Sequence, residues 1–225
     1  MSGISGIPAG LKRLKKTGFN PTRILDIGAY EGWFARIARE TWPEARIYCV
    51  EAMSERAHSL NETINTIGNA EYMIALLGSK DGEKLDFFIA HGGDGDKIIQ
   101  TGSSLYREKT GVLTERKQLL VTTLDKLIDE KIVYEFLKLD VQGAELDVLK
   151  GAKFILNTVE FILLEISILE YNDGAPLILD VINYMNEIDF VVFDIVDLAR
   201  HGEYLNQIDV VFIRREHPLR HRFLD

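Results

Sequence analysis

The sequence predicts an α/β fold: a mostly parallel sheet covered by helices on both faces. Three observations predict it. β-rich runs alternate with helical patterns along most of the chain, the pattern of successive strand–helix–strand units. A pair of glycines, Gly28 and Gly32, follows the first run directly and opens the first long helical pattern. The length of 225 residues suits one α/β domain. A chain of this size hides about 70% of its unfolded surface, so it needs neither disulfides nor a metal to stay folded.

Each element follows in order. Residues 23–27 (RILDI) form a first strand, and 33–40 a helix with Phe34, Ile37 and Ala38 on one side, stopped by Pro43. Residues 46–51 (RIYCVE) make a second strand. Residues 54–67 read as one helix, capped by Ser54 and ended by Gly68. Residues 70–77 make a third strand. The alternation then breaks. Residues 84–90 and 118–122 look like two further strands, separated by a Gly-rich, charged segment, 91–117, with the character of a loop or lid. Residues 124–130 look helical. Regular order returns with a strand at 135–140, a helix at 144–156, a strand at 159–166, a helix at 176–186 and a strand at 190–196. The last strand, 209–213, follows a connection of about a dozen residues containing Gly202. That is too short for a crossover helix, so the last two strands are expected to pair antiparallel. Seven main strands result.

Composition excludes several classes. The 26 Lys and Arg against 35 Asp and Glu give a net charge of −9, which argues against a protein that coats nucleic acid or an anionic membrane. One cysteine, Cys49, excludes an internal disulfide framework and a cysteine-based zinc site, and points to the reducing cytoplasm. No apolar run is long enough to span a bilayer. The basic cluster Lys12, Arg13, Lys15 and Lys16 reads as a short amphipathic helix with Leu11 and Leu14 turned inward. The His91–Asp96 run, HGGDGD, misses the ligand spacing of calcium loops and reads as a turn, and the five histidines show no metal spacing.

Ligands of an open α/β sheet gather beyond the carboxyl ends of its strands, where strand order reverses. The first strand ends in Asp26-Ile27-Gly28-Ala29-Tyr30-Glu31-Gly32. A dinucleotide fingerprint would carry another glycine where Asp26 stands, and a carboxylate there repels a pyrophosphate. A ligand with an ammonium and a sulfonium, such as S-adenosylmethionine (SAM), would be welcomed by it. Glu51 ends the second strand about 20 residues past the glycine turn, placed to accept hydrogen bonds from ribose hydroxyls. Ala52 and Met53 follow, with Met53 either against the adenine or in the core. The fourth strand runs out through Lys138, Asp140, Val141, Gln142, Gly143 and Glu145. Glu145 suits the first turn of the following helix as a cap. Lys138 shares a face with Asp140 and calls for a carboxylate partner. The fifth strand ends in Glu165. If it neighbours the fourth, Asp140 and Glu165 converge, as general base and orienting group or as ligands of a divalent cation. The base reading is the preferred one, and no metal is predicted.

The stretch Asp26–Gly32, Glu51, Ala75-Leu76, Gly102-Ser103-Ser104-Leu105, Thr122-Thr123-Leu124-Asp125 and the segment 137–145 together resemble the FkbM-type SAM-dependent methyltransferases. The resemblance covers roughly residues 11–213. It implies a seven-stranded, Rossmann-like class I methyltransferase fold and methyl transfer to a hydroxyl oxygen of a sugar, glycan or polyketide-like acceptor, with S-adenosylhomocysteine (SAH) as product. It implies an N-terminal helical segment over 1–22, the methyltransferase domain over 23–213 with a lid-like insertion at about 84–122, and a basic tail over 214–225. Carried over by position, Asp26, Gly28, Tyr30, Gly32, Glu51 and Asp140 line the cofactor cleft, and Ser103 and Ser104 bring the insertion over it. Ala29, Ala52, Met53, Ala75, Leu76 and Val141 complete that wall. Tyr30 and Gln142 depart from the family pattern, which often has a small polar residue and an acidic one there. Tyr106, Arg107, Tyr171 and Asn172 are candidate acceptor contacts by loop position alone. Two other readings use the same sheet: a nicotinamide-dependent oxidoreductase, opposed by Asp26, and a non-catalytic binding domain.

Overall fold

The computed structural model describes residues 6–91, 102–109, 111 and 113–220. The chain opens with α1 (Ile7–Lys16), whose Leu11 and Leu14 are buried as the amphipathic pattern requires. Then come β1 (Arg23–Ile27), α2 (Trp33–Thr41), β2 (Arg46–Glu51), α3 (Ala57–Ile67) and β3 (Ala70–Ile74). β4 (Leu76–Leu77), β5 (Lys84–His91), β6 (Leu113–Thr122) and α4 (Leu124–Leu127) follow. The second half holds β7 (Phe136–Leu139), α5 (Glu145–Lys150), α6 (Lys153–Leu156), β8 (Phe161–Ser167), α7 (Ile178–Glu187), β9 (Phe190–His201) and β10 (Tyr204–Arg214).

Seven strands form one sheet in the order β3-β2-β1-β7-β8-β10-β9. All neighbours are parallel except β10, which runs antiparallel to both β8 and β9. The expected C-terminal hairpin is therefore present. Strand order reverses between β1 and β7, and this is where a ligand crevice belongs. The central strands are apolar on both faces because both are covered. Ile24, Ile47, Phe136 and Leu163 pack with α1, α2 and α3 on one side. Leu25, Val50, Leu137 and Ile162 pack with α5, α6 and α7 on the other. Among the described residues no helix is long and apolar enough to cross a membrane.

Several expected boundaries move, each for a tertiary reason. The third strand is cut at Ala75: its first part pairs with β2, while Leu76 and Leu77 turn away to pair with Val121 and Thr122 of β6. β6 also pairs antiparallel with β5, giving a separate three-stranded sheet, β4-β6-β5. Residues 113–117, expected in a loop, thus belong to a strand. Ser54 does not cap a helix. It starts a 3-10 turn (Ser54–Arg56), and its hydroxyl bonds the Glu55 carboxylate. α4 stops at Leu127, capped at its start by the Thr123 side chain. The helix expected over 144–156 breaks at Gly151. A Cβ there would lie 2.3 Å from the Gly78 carbonyl, and the Gly151 carbonyl accepts the Asp125 N–H instead of continuing the helix. The long connection expected before the last strand shrinks to a tight turn at Gly202, because β9 and β10 extend past the sheet as a hairpin. The HGGDGD turn lies mostly outside the described residues.

Candidate active site

A cleft opens at the carboxyl ends of β1, β2 and β7 and encloses about 730 Å3, open solvent at its mouth included. Its floor is the turn after β1. There Gly28 and Gly32 take left-handed backbone angles, and so does Tyr30 with φ 52°. Only glycine fits at position 28: a Cβ would lie 1.8 Å from the Asp140 carbonyl oxygen, so the loops after β1 and β7 touch backbone to backbone. Glu51 closes the β2 end. Its Oε2 accepts the Tyr30 N–H at 2.8 Å and its Oε1 the Met53 N–H at 2.8 Å. Burial pushes the Glu51 carboxyl up, against the downward pull of those two N–H groups.

Gly28, Tyr30, Glu51, Ala52, Met53, Ala75, Leu76, Ser103, Asp140 and Val141 all line the cleft. Ala29, Gly32 and Ser104 do not; they shape it from behind. A Cβ on Gly32 would meet Thr63 of α3 at 2.6 Å, so this glycine lets α2 and α3 close together. Ser104 is buried, and its hydroxyl donates to the Gln142 carbonyl at 2.6 Å. The sequence reading missed Phe87, Gly102, Leu105 and Gln142, which also line the cleft. Phe87 comes from the second sheet, whose pairing only the folded chain reveals.

Asp26 departs most from expectation. It is fully buried beneath the turn and does not line the cleft. In register, Cys49 and Lys138 flank it on the neighbouring strands. The Lys138 ammonium lies 3.2 Å from Asp26 and 3.7 Å from Asp140, and donates to the Gly28 carbonyl at 2.9 Å. The Cys49 thiol donates to the other Asp26 oxygen at 3.8 Å. Lys138 therefore has the carboxylate partner its odd position called for. Burial alone would lower its pKa, but Asp26 and Asp140 hold it above the ordinary lysine value, so it stays an ammonium.

Asp140 and Glu165 do converge, because β7 and β8 are neighbours. The Gln142 side chain joins them, its Nε2 donating to Asp140 Oδ1 at 2.9 Å and to Glu165 Oε2 at 2.6 Å. Asp140 faces the cleft and Glu165 does not. Burial first, then the Asp140 and Asp209 charges, push the Glu165 carboxyl well up. Glu145 is buried behind the same loop, where one oxygen accepts both the Val141 and Gly143 N–H groups. Burial carries it to about 7. Among the described residues no group of three His, Cys, Asp or Glu is arranged to hold a metal ion.

The four acceptor candidates do not line the cleft. Three are spent on contacts among the insertion, α5 and the loops after β7 and β8. The Tyr106 hydroxyl donates to Asp147 at 2.7 Å, Tyr171 bonds buried Glu108, and Asn172 donates to the Gln142 carbonyl at 2.7 Å. Arg107 is exposed. Loop position could not tell a polar side chain facing solvent from one facing another loop.

A carboxylate row continues away from the cleft, with Glu165 opposite Asp209 and Asp209 opposite Asp197. Burial, then Asp140 and Asp197, raise Asp209 to about 7. The folded state thus holds a proton at Asp209 that the unfolded chain releases near pH 4. This contribution to stability is complete below that pH and is lost as pH rises to about 7. Asp209→Asn is expected to gain at least about 1 kcal/mol over the wild type at pH 8. The gain should vanish at pH 4. Urea unfolding at the two pH values checks it.

Comparison with known proteins agrees with this architecture. The methyltransferase FkbM domain family matches residues 26–192. The 2-O-methyltransferase NoeI of Sinorhizobium fredii (strain NBRC 101917 / NGR234) is 30% identical over 161 residues. The match covers 67% of this chain and 65% of that protein, so the chain spans just under two thirds of the relative's length. The crystal structure of methyltransferase FkbM from Methylobacillus flagellatus KT superposes with a TM-score of 0.56 at 17% identity, covering 85% of this chain and 43% of that one. The N-terminal domain of EvdMO1 with SAH bound superposes at 0.53 with 14% identity, covering 94% and 83%. At these identities the two structures speak for the fold, a class I methyltransferase fold. The family match spans more than half of the sequence: the chain belongs to the FkbM methyltransferase family.

Proposed function

We propose that the protein binds SAM in this cleft and passes its methyl group to a hydroxyl oxygen of a saccharide or natural-product acceptor. The observation that carries this reading is the charge of the cleft. Glu51 and Asp140 face it, and among the described residues no lysine or arginine lines it. Such a wall repels a pyrophosphate and suits a cationic ligand. Glu51, its plane fixed by two backbone N–H groups, keeps lone pairs for ribose hydroxyls. Met53, Phe87 and Leu105 offer an apolar wall for the adenine. When bound, SAM supplies an electrophilic methyl carbon whose leaving group is a neutral thioether, so no general acid is required.

The chain must then hold the acceptor oxygen and remove its proton as negative charge grows there. Asp140 is the cleft-facing carboxylate at the switch point and is assigned that role. Glu165 acts through Asp140 as an orienting group. Gly102, Ser103 and Leu105 bring the insertion to the cleft wall, where closure of the insertion would exclude water from the reacting centre. The name of the NoeI relative supports oxygen as the methylated atom.

Calorimetry is expected to show micromolar binding of SAH and none of NADH. The opposite order would return the chain to the oxidoreductase reading. Labelled SAM offered with a panel of methyl glycosides should then yield labelled ether. Tight SAH binding with no transfer to any hydroxyl would instead favour a binding domain.

A further inference from the structure

We propose that Gln142 is a positioning residue, a clamp that locks the Asp140 and Glu165 carboxylates into one unit and so aims Asp140 into the cleft. The inference rests on the methyl-transfer reading for its purpose but not for its geometry. An amide NH2 has two donors, and here both are used, one on each carboxylate. The backbone of Gln142 is set with equal care. Its φ of 55° is rare for a residue with a side chain, so surrounding contacts must enforce it. They are on its carbonyl, which accepts from Ser104 at 2.6 Å and from Asn172 at 2.7 Å. Those two residues belong to the insertion and to the loop after β8. Two loops from outside the central sheet thus converge on one residue, and that residue holds the two carboxylates of the site.

A carboxylate at position 142 would be a third negative group with no proton to give to either neighbour. The amide instead supplies donors where like charges crowd. The charged groups facing the pair come from four elements: Lys138 on β7, Asp26 on β1, Asp209 on β10 and Glu145 on α5. A donor between Asp140 and Glu165 favours the ionised form of Glu165 against that crowding and fixes their separation.

The test reads the carboxyl groups directly. With 13C-labelled aspartate and glutamate, the Glu165 carboxyl signal is followed against pH in wild type, Gln142→Met and Gln142→Glu. Each variant is first shown by its amide spectrum to be folded. The Glu165 midpoint is expected to rise by about one pH unit or more in Gln142→Met, and further in Gln142→Glu. Equal midpoints in folded wild type and folded Gln142→Met would overturn the clamp. If neither variant folds, Ser104→Ala, which loosens the Gln142 carbonyl without touching the amide, is expected to move the midpoint by a smaller amount, and no movement there overturns the clamp as well. Turnover with methyl glycosides is measured alongside, and kcat is expected to fall about 100-fold in Gln142→Met with the KM for SAM changed less than threefold. A shifted midpoint in a protein whose wild type transfers no methyl group would uphold the clamp and defeat the methyl-transfer reading. The two failures are therefore separable.

Discussion

Replacing Lys138 with alanine is expected to destabilise the fold by about 3–5 kcal/mol. The ammonium is 6% exposed and its main partner, Asp26, not at all. Removing it strands a carboxylate in the interior with only the Cys49 thiol beside it, at 3.8 Å. A surface ion pair would contribute a fraction of that. Lys138→Met keeps the volume and isolates the charge, so most of the loss should remain. The double variant Asp26→Leu with Lys138→Met is expected to recover most of it, because both ions then leave the interior together. Recovery of stability should not restore ligand binding. Lys138 also holds the Gly28 carbonyl at 2.9 Å and lies between the β1 and β7 loops, so SAH affinity is expected to stay at least tenfold weaker in the double variant. Urea unfolding followed by circular dichroism checks the first part and calorimetry the second. A double variant as unstable as the single one would show that packing rather than charge sets the loss.

The same pair marks where sequence reasoning stopped. Periodicity and turn chemistry sufficed for the central sheet, since strands buried on both faces and helices with one apolar side leave plain patterns. Asp26, Glu51, Asp140 and Glu165 could be read as strand-end carboxylates for the same reason. Which of them faces the cleft could not. Side-chain alternation puts Asp26 and Lys138 on one face of adjacent strands, but only the β1–β7 register makes them neighbours. The second sheet was hidden because β4 is two residues long and pairs with a strand more than 40 residues onward. The break at Gly151 comes from contact with Gly78, far away in sequence. The acceptor candidates lie outside the cleft lining for a related reason. Tyr106, Tyr171 and Asn172 are polar residues in loops, yet Tyr106 bonds Asp147 of α5, Tyr171 bonds Glu108, and the Asn172 amide donates to the Gln142 carbonyl. A buried Glu108 bonded to Tyr171 had no local signal at all.

Asp140→Asn is expected to lower kcat for methyl transfer by about 10²–10⁴-fold, with SAH affinity changed less than fivefold. The amide keeps the shape of the carboxylate and can still meet the cleft, but it cannot take a proton. Because the departing group is a neutral thioether, nothing downstream of that proton removal compensates for its loss. Geometry sets Asp140 apart from its neighbour. Its side chain is 39% exposed and lines the cleft, whereas Glu165 sits behind it. Burial and two flanking aspartates hold Glu165 toward its protonated form, and a carboxylic acid is a poor base. Glu165→Gln reproduces that neutral form without a charge, so its kcat should fall no more than about tenfold, well short of the general-base effect. The pair of variants therefore ranks the two carboxylates. A large loss in Glu165→Gln beside a small one in Asp140→Asn would reverse the assignment. Near-normal turnover in both would move proton removal to a group outside this pair.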